Sequence, residues 1–382
     1  MPVSNFEDIR FFHDHEVQPA LKQYVKHPMI KALLQFSFPD KSFKEIEELT
    51  LSCNSIRDFQ TRIIYSTVQR VLEKSSDGLS YSGFDKLDKD ASYLYISNHR
   101  DIILDTSLLN CVLYETGLKM TASAIGDNLV KKPFLLLLSK INRNFLVQRG
   151  LGPREMLKSS QKLSEYIKHL LLEEQRSVWM AQREGRTKDG NDTTQQGVLK
   201  MLAMAKGDLS IPEYFSKIKI VPVAISYEFD PTDVLKMPEI MAKRMETTYV
   251  KSANEDFNSI MKGALGNKGR IHISAGNVLE QDLFNDLEKD FASTNDLLKA
   301  IAAKIDEKVH TNYKLWPANY IALDLLNNDD TYSSHYTIKE KRRFERRLTR
   351  RIDVKNSLEV NSYLLMYANP VINLEVLNEN EI

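Results

Sequence analysis

Strands and helices alternate between Tyr93 and Glu228, and this alternation constrains the fold more than any other feature of the sequence. Runs rich in branched and aromatic residues predict strands at 93–97, 119–124, 144–148, 177–181 and 219–226. Longer amphipathic segments, such as 154–174 and 195–205, predict helices between the strands. The pattern is typical of an α/β fold, with a central, mostly parallel or mixed sheet flanked by helices.

Helical patterns dominate on both sides of this part. Residues 1–82 are expected to form a helical N-terminal region, with helices at 18–34, 43–51 and 56–72. Residues 83–278 are the predicted α/β domain, which includes a long amphipathic segment at 234–264 and a further strand at 269–275. Residues 279–382 are the predicted helical C-terminal region, in which 339–351 is a strongly basic helix.

Chemically reactive residues follow the strand at 93–97. Asn98, His99, Arg100 and Asp101 come directly after it, and Asp105 follows near the start of an apolar helix predicted from Ile102 to Leu113. Open α/β sheets bind ligands at strand ends, and a histidine with a carboxylate partner can act as a general base. The same residues also have a structural interpretation, as a satisfied surface pair and, for Asp101, a helix cap.

Four sequence blocks, in order, resemble the motifs of the glycerolipid acyltransferases, which acylate glycerol 3-phosphate and lysophosphatidate. Asn98-His99 with Asp105 resembles the first motif, and the block 145–149, Phe-Leu-Val-Gln-Arg, resembles the second. The block 184–187, Glu-Gly-Arg-Thr, resembles the third, and 220–224, Ile-Val-Pro-Val-Ala, resembles the fourth. Each block is weak alone, but four in order over roughly residues 90–230 are a strong signal.

The sequence departs from the family pattern at several positions. The aspartate follows His99 one residue later than in the family, since Leu104 occupies the usual position and Asp105 comes next. Arg186-Thr187 stands where the family has Thr-Arg, and Arg143 replaces the glycine that opens the second motif.

The resemblance implies that His99 is the general base, with a carboxylate fixing its tautomer. Asp105 is the favoured partner, and Asp101 remains an alternative. In one uninterrupted helix, residues six positions apart are rotated by about 240° and face different ways. His99 and Asp105 can meet if His99 lies in the loop before the helix, or if the first turn is tight or bulged.

The resemblance also implies a site for an acceptor that carries phosphate. Arginines suit phosphate because their planar donors match its oxygens, and a glycine allows the backbone to approach a ligand closely. Glu184 could hold an arginine or a substrate hydroxyl. The predicted substrate-binding residues are Asn98, Arg143, Arg149, Glu184, Gly185 and Arg186. No metal site is expected, because the eight histidines are scattered without ligand spacing.

The predicted function is transfer of a fatty acyl group from a thioester-type donor to a hydroxyl of glycerol 3-phosphate or lysophosphatidate in phospholipid biosynthesis. The donor would be acyl-CoA, acyl-carrier protein or acyl phosphate, as a co-substrate, and no cofactor is expected. Two alternatives remain open. One is a catalytically weak lipid- or phosphate-binding member of the fold; the other is an acyltransferase for another acceptor, such as an amino-acid-derived lipid.

The expected location is the cytoplasmic face of a membrane, with peripheral attachment. The sequence has no signal-peptide pattern and no apolar run of the ~18 residues that a membrane span requires. Residues 1–80 read as a lid packed on the main domain or as a membrane-facing hairpin. The basic run 339–351 reads as a solvated helix or as an anchor for anionic lipid. With zero formal net charge, a nucleic-acid partner is not expected.

Overall fold

The computed structural model describes residues 6–252, 254–291 and 293–380. These residues form one seven-stranded sheet in the order β1-β7-β6-β2-β5-β3-β4. The strands are β1 (Leu79–Ser82), β2 (Leu94–Ser97), β3 (Ala122–Gly126), β4 (Asn144–Val147), β5 (Val178–Ala181), β6 (Ile220–Tyr227) and β7 (Ile271–Ala275). The predicted α/β fold with a central mixed sheet is therefore confirmed.

Strand direction decides which loops can meet. β7 runs antiparallel to β6, whereas every other neighbouring pair in the sheet is parallel. The carboxyl ends of β6, β2, β5, β3 and β4 consequently lie at one edge of the sheet, named here the active edge. The segments that lead into β7 and β1 reach the same edge, because these two strands run in the opposite direction.

Helices precede, connect and follow the strands. The N-terminal helices are α1 (Asp14–Tyr24), α2 (Pro28–Ser37), α3 (Phe43–Leu51), α4 (Ile56–Phe59) and α5 (Tyr65–Ser75), the last two joined by a π-helical turn at Gln60–Ile64. Those between strands are α6 (Leu104–Thr116), α7 (Pro133–Ile141), α8 (Pro153–Lys168), α9 (Gln196–Ala203), α10 (Ile211–Lys217), α11 (Asp233–Arg244) and α12 (Glu255–Leu265). After the sheet come α13 (Gln281–Asp290), α14 (Thr294–Asn312), α15 (Pro317–Asn327), α16 (Ile338–Arg351) and α17 (Ser357–Asn380).

The structure divides two segments that were predicted as single helices. The segment 18–34 is split because Pro28 starts a new helix, α2, which the His27 ring caps by accepting from the Met29 amide at 3.3 Å. The segment 234–264 is split because the chain leaves α11 after Arg244 and Glu246 adopts a left-handed conformation, with φ of 54°. Strand β1 was not predicted, and it lies before the expected domain boundary at residue 83.

Two apolar layers cover the faces of the sheet. On one face, Leu21 and Phe59 of the N-terminal region share a buried cluster with Ile96, Phe145 and Val178 of the strands. The opposite face is covered mainly by α6, whose Leu108 packs with residues such as Tyr95 and Val221. The N-terminal helices are thus packed on the α/β domain through their apolar faces.

A third buried cluster joins the C-terminal helices to the end of β6. It includes Phe229, Met237 of α11, Ile321 of α15, Phe344 of α16 and Tyr363 of α17. The basic helix α16 is therefore attached by one apolar side. None of the helices in the described ranges is both long and apolar enough to cross a membrane.

We predict that Leu21→Ala lowers the free energy of unfolding by about 2–5 kcal/mol, because it opens a cavity in a fully buried contact between the N-terminal region and the sheet. The matched control is Leu157→Ala on α8, whose side chain is 63% exposed and should change stability by less than about 0.5 kcal/mol. Urea denaturation followed by circular dichroism measures both. Equal effects would show that α1 does not form part of the core.

Candidate active site

The loop between β2 and α6 brings His99 and Asp105 together. The Nδ1 atom of His99 lies 2.8 Å from Oδ2 of Asp105. The same carboxylate oxygen accepts hydrogen bonds from the backbone N–H of Arg100 at 2.6 Å and of Asp101 at 3.0 Å. His99 lies in the loop before the helix and Asp105 in its first turn, so the two residues meet despite their spacing of six.

A tyrosine from the neighbouring strand completes the arrangement. The hydroxyl of Tyr227, the last residue of β6, donates to Oδ1 of Asp105 at 2.8 Å. Burial and the nearby Asp105 carboxylate raise the pKa of Tyr227 well above its ordinary value, so the phenol keeps its proton. Asp105 is completely buried, yet four donors satisfy it. Tyr227 was not predicted, because nothing in the sequence pairs it with Asp105.

The His99 ring is held in place by packing but remains partly exposed to solvent. It packs edge-on against Trp179 of β5, with ring centroids 5.5 Å apart, and its side chain keeps 13% exposure. The indole N–H of Trp179 in turn donates to the Ser97 hydroxyl at 2.9 Å. Because Nδ1 faces a carboxylate, we assign the proton to Nδ1. Nε2, which has no hydrogen-bond partner in the described part of the chain, is then the basic nitrogen.

Asp101 has a different role. Its Oδ1 accepts from the backbone N–H of Ile103 at 3.0 Å and of Leu104 at 2.9 Å, so it caps the start of α6. The carboxyl group packs against Gly263 of α12, where a Cβ atom would have no space. Burial and the neighbouring Asp105 raise the pKa of Asp101. The alternative in which Asp101 orients the imidazole is not the arrangement seen here.

Asn98 is occupied within the fold. It is completely buried, and its Nδ2 donates to Asp192 at 3.2 Å and to the Ile225 carbonyl at 3.0 Å. Its Oδ1 accepts from the Ile225 amide at 2.7 Å. The Asn98 side chain thus ties the end of β2 to β6, and its contact with substrate stays a prediction.

Arg143 lies on the wrong side of the sheet for the predicted site. It precedes β4, so it stands at the edge opposite His99, and its Nη1 donates to the Gln60 side chain at 2.8 Å. Burial lowers its pKa to about 10. The structure therefore does not bring Arg143 together with His99, because a residue before a parallel strand and a residue after it lie at opposite ends of the sheet.

The other predicted substrate-binding residues lie at the active edge. Arg149 follows β4 and forms an ion pair with Glu184, at 2.6 Å between Nη1 and Oε1. Gly185 has φ of 69°, a left-handed conformation that suits glycine, and the space where a Cβ would stand is open. Arg186 is buried, and its Nη1 donates to the Thr232 hydroxyl at 3.4 Å.

This loop is attached to the histidine through the backbone. The Thr187 amide donates to the His99 carbonyl at 2.9 Å. Arg186 has no carboxylate partner among the described residues. The third block of the sequence thus contacts the backbone of His99, while its Arg186 guanidinium lies beside Thr232.

Two buried ion pairs that the sequence did not reveal stabilise the active edge. Arg100 donates to Asp192 at 2.6 Å. Lys236 pairs with Asp230 and also donates to the Arg100 carbonyl at 3.2 Å. Burial alone would raise the pKa of Asp230, but Lys236 lowers it, and burial lowers the pKa of Lys236 in turn. Arg100 and Asp192 are 92 positions apart, so no local pattern signals their pairing, whereas Asp230 and Lys236 are only six positions apart.

Part of the chain is similar to known proteins. Residues 78–226 match the family model Acyltransferase. No curated protein matches the chain. Among solved structures, the chain is similar to the 1-acyl-sn-glycerophosphate (LPA) acyltransferase PlsC from Thermotoga maritima, with 12% identity and a TM-score of 0.39. That match covers 75% of this chain and 94% of the PlsC chain.

We predict that His99 carries its proton on Nδ1 and that this tautomer depends on Asp105. Long-range ¹H–¹⁵N spectra of histidine-labelled protein should show the Nδ1–H form in the wild type and in Asp101→Asn. In Asp105→Asn the amide replaces the charged acceptor, so the tautomers should mix. A tautomer that changes in Asp101→Asn but not in Asp105→Asn would contradict the assignment.

Proposed function

Since residues 78–226 form a domain of the acyltransferase family, we propose that the protein transfers a fatty acyl group from a thioester-type donor to a hydroxyl of glycerol 3-phosphate or lysophosphatidate. The observation that carries the proposal is the relay Tyr227–Asp105–His99, which ends in a free Nε2. A hydroxyl is a poor nucleophile at neutral pH and needs such a base within hydrogen-bond reach.

The proposed reaction uses His99 first as a base and then as an acid. Nε2 takes the proton of the acceptor hydroxyl while the oxygen attacks the carbonyl carbon of the thioester, and a C–O bond forms. The tetrahedral intermediate then collapses, the C–S bond breaks, and the leaving thiolate takes the proton from Nε2. Asp105 stabilises the imidazolium between the two steps, and the substrate hydroxyl occupies the place that serine has in hydrolase triads.

The buried carboxylate favours this chemistry because it is already organised. Asp105 receives two backbone N–H groups and the Tyr227 hydroxyl before any substrate binds. Its position therefore does not have to change when charge develops on the imidazole. The edge-on contact with Trp179 restricts the ring further.

Arg149 and Arg186 are the proposed ligands of the acceptor's phosphate. Both lie at the active edge, and guanidinium groups bind phosphate oxygens in a bidentate manner. Glu184, 68% exposed, would hold Arg149 in position through their ion pair. Gly185 would allow the backbone to approach the bound phosphate.

The proposed acyl donor is acyl-CoA, acyl-carrier protein or acyl phosphate, with no further cofactor. We also propose that the protein works while bound peripherally to a membrane. The support is that α8, which starts at the active edge just after Arg149, exposes Met156 and Leu157 by 55% and 63%. Large apolar side chains at the mouth of a site suit an acyl chain or a lipid surface.

We predict that His99→Ala lowers kcat/KM for acyl transfer by about 100-fold or more, because general-base catalysis typically contributes a factor of about 10²–10⁴. Release of free thiol from an acyl-CoA donor, with glycerol 3-phosphate and lysophosphatidate as separate acceptors, measures the rate. The control is His15→Ala, since His15 is exposed and lies in α1. Turnover that survives in His99→Ala would refute the mechanism.

The acceptor screen tests the wider proposal. If wild-type protein turns over neither phosphate-bearing acceptor but acylates an amino-acid-derived lipid, the acyltransferase assignment holds and the acceptor class changes. If it turns over no acceptor with any donor, the protein is a binding member of the fold.

We predict that Arg149→Gln raises KM for the acceptor by about 10-fold or more, since a hydrogen bond to a charged group is worth about 1.5–3 kcal/mol. The matched control is Arg143→Gln, which removes the same charge at the opposite edge of the sheet and should leave KM within about twofold. Steady-state kinetics with varied acceptor at saturating donor measures both. A larger KM effect at Arg143 would contradict the assignment.

A further inference from the structure

A deep basic cavity lies at the active edge, separate from the residues assigned to catalysis. Its volume is about 760 Å³, within the ~300–1,000 Å³ typical of ligand pockets. The walls come from the loop after β6, from the start of α11, from α12 and the segment after it, and from α16. The lining residues are Phe229, Pro231, Thr232, Val234, Leu235, Lys262, Asn267, Arg343, Arg346, Arg347, Arg350 and Arg351.

One buried carboxylate fixes two of these arginines. Asp233 is completely buried and accepts from Arg347 Nη2 at 2.8 Å and from Arg351 Nη1 at 2.5 Å. The hydroxyls of Tyr363 and Tyr367 donate to the same carboxylate at 2.7 and 2.8 Å. The guanidinium groups at the base of the cavity are therefore built into the fold of the C-terminal region.

An aromatic ring fixes a third arginine. The guanidinium carbons of Arg343 and Arg347 each lie 4.9 Å from the centroid of the Phe229 ring. Phe229 itself is buried. Cation–π contacts of this kind hold the guanidinium planes in place while leaving their N–H donors available.

The positive charge of the cavity is largely uncompensated. Six lining side chains are cationic, and no acidic residue lines the cavity within the described part of the chain. Asp233, which does not line the cavity, compensates one positive charge. The carboxylate nearest to Arg343 among its ion pairs in the described residues is that of Asp77, at 3.6 Å. Arg346, Arg350 and Lys262 have no carboxylate partner among the described residues. Like charges three and four residues apart on α16 repel one another, so a bound anion would stabilise this arrangement.

We propose that this cavity binds a phosphate-bearing ligand with more than one negative charge. Five guanidinium groups of α16 line the cavity together with Lys262 of α12, and Asp233 and Phe229 hold three of them in place. Such a set of guanidinium groups matches phosphate oxygens far better than it matches a single carboxylate. The cavity is also connected to the candidate active site, because Thr232, which lines the cavity, accepts the hydrogen bond of Arg186. The phosphates belong either to a soluble ligand or to the head group of a lipid.

Isothermal titration calorimetry with pyrophosphate tests the site on the full-length protein. The pocket variant is Arg346→Gln with Arg350→Gln, two exposed arginines that line the cavity. The control is Lys339→Gln with Arg342→Gln, which removes the same charge from exposed positions of the same helix outside the cavity. We expect pyrophosphate affinity to fall at least 10-fold in the pocket variant and by less than twofold in the control. About 0.15 M salt screens the general charge of the helix.

A second arm distinguishes the source of the phosphate. Co-sedimentation uses phosphatidylcholine vesicles with and without phosphatidate. Loss of phosphatidate-dependent pelleting in the pocket variant alone assigns the site to a lipid head group. Equal pelleting of the two variants, with pyrophosphate affinity reduced only in the pocket variant, assigns it to a soluble phosphate ligand.

Two results would overturn the proposal. One is that the pocket and control variants behave alike with both probes. The other is that citrate, a carboxylate anion, binds the wild type as tightly as pyrophosphate does. That result would show that the cavity binds anions without selectivity for phosphate. Neither readout involves turnover, so failure here is distinguishable from failure of the proposed reaction.

Discussion

The hydrogen bonds of the Asp105 carboxylate organise the centre of this protein. A fully buried carboxylate is unfavourable unless its oxygens are satisfied, and here the donors come from three different places. The turn after β2 supplies two backbone N–H groups, His99 supplies its ring, and β6 supplies Tyr227. The position of the imidazole, the start of α6 and the end of β6 are thereby coupled. The orientation of the imidazole is therefore set by the packing of the sheet and not by the loop alone.

The same arrangement explains how the aspartate functions one residue later than in the related family. Asp101 caps α6 by binding the amides of Ile103 and Leu104, so the helix starts at Leu104. Asp105 then falls in the first turn, where its side chain can point back toward the strand end. The amides of Arg100 and Asp101 converge on it, which closes the loop into a wide turn around the carboxylate. The additional residue is absorbed by the loop, and the contact with the histidine is retained.

Sequence reasoning succeeded where structure is local and failed where it depends on distant partners. The strand–loop–helix around His99 and the alternation that gives the sheet are both local patterns. The choice between Asp105 and Asp101 was open because it depends on how the loop closes, and that depends on Tyr227, 122 positions from Asp105. Asn98 was assigned to substrate from the motif resemblance, and its bonds to Ile225 join residues 127 positions apart, which no local pattern reveals. The position of Arg143 at the opposite edge follows from strand direction, since it precedes β4. Strand β1 is short and mostly exposed, so it lacks the apolar alternation that makes a strand visible in sequence.

Charged side chains also depend on partners from other parts of the chain. The chain has zero formal net charge, yet acidic and basic groups are concentrated in different segments. The loop after β6 carries Asp230 and Asp233, which bind Lys236 and the arginines of α16. Between these acids stands Thr232, the partner of Arg186. Removing one member of a buried ion pair typically costs about 3–5 kcal/mol, because the other is left uncompensated. The C-terminal helices are thus connected to the active edge by ion pairs whose loss would strongly destabilise the fold. The loop after β6 connects these features, because it follows Tyr227 of the imidazole relay, holds Thr232, the partner of Arg186, and lines the basic cavity.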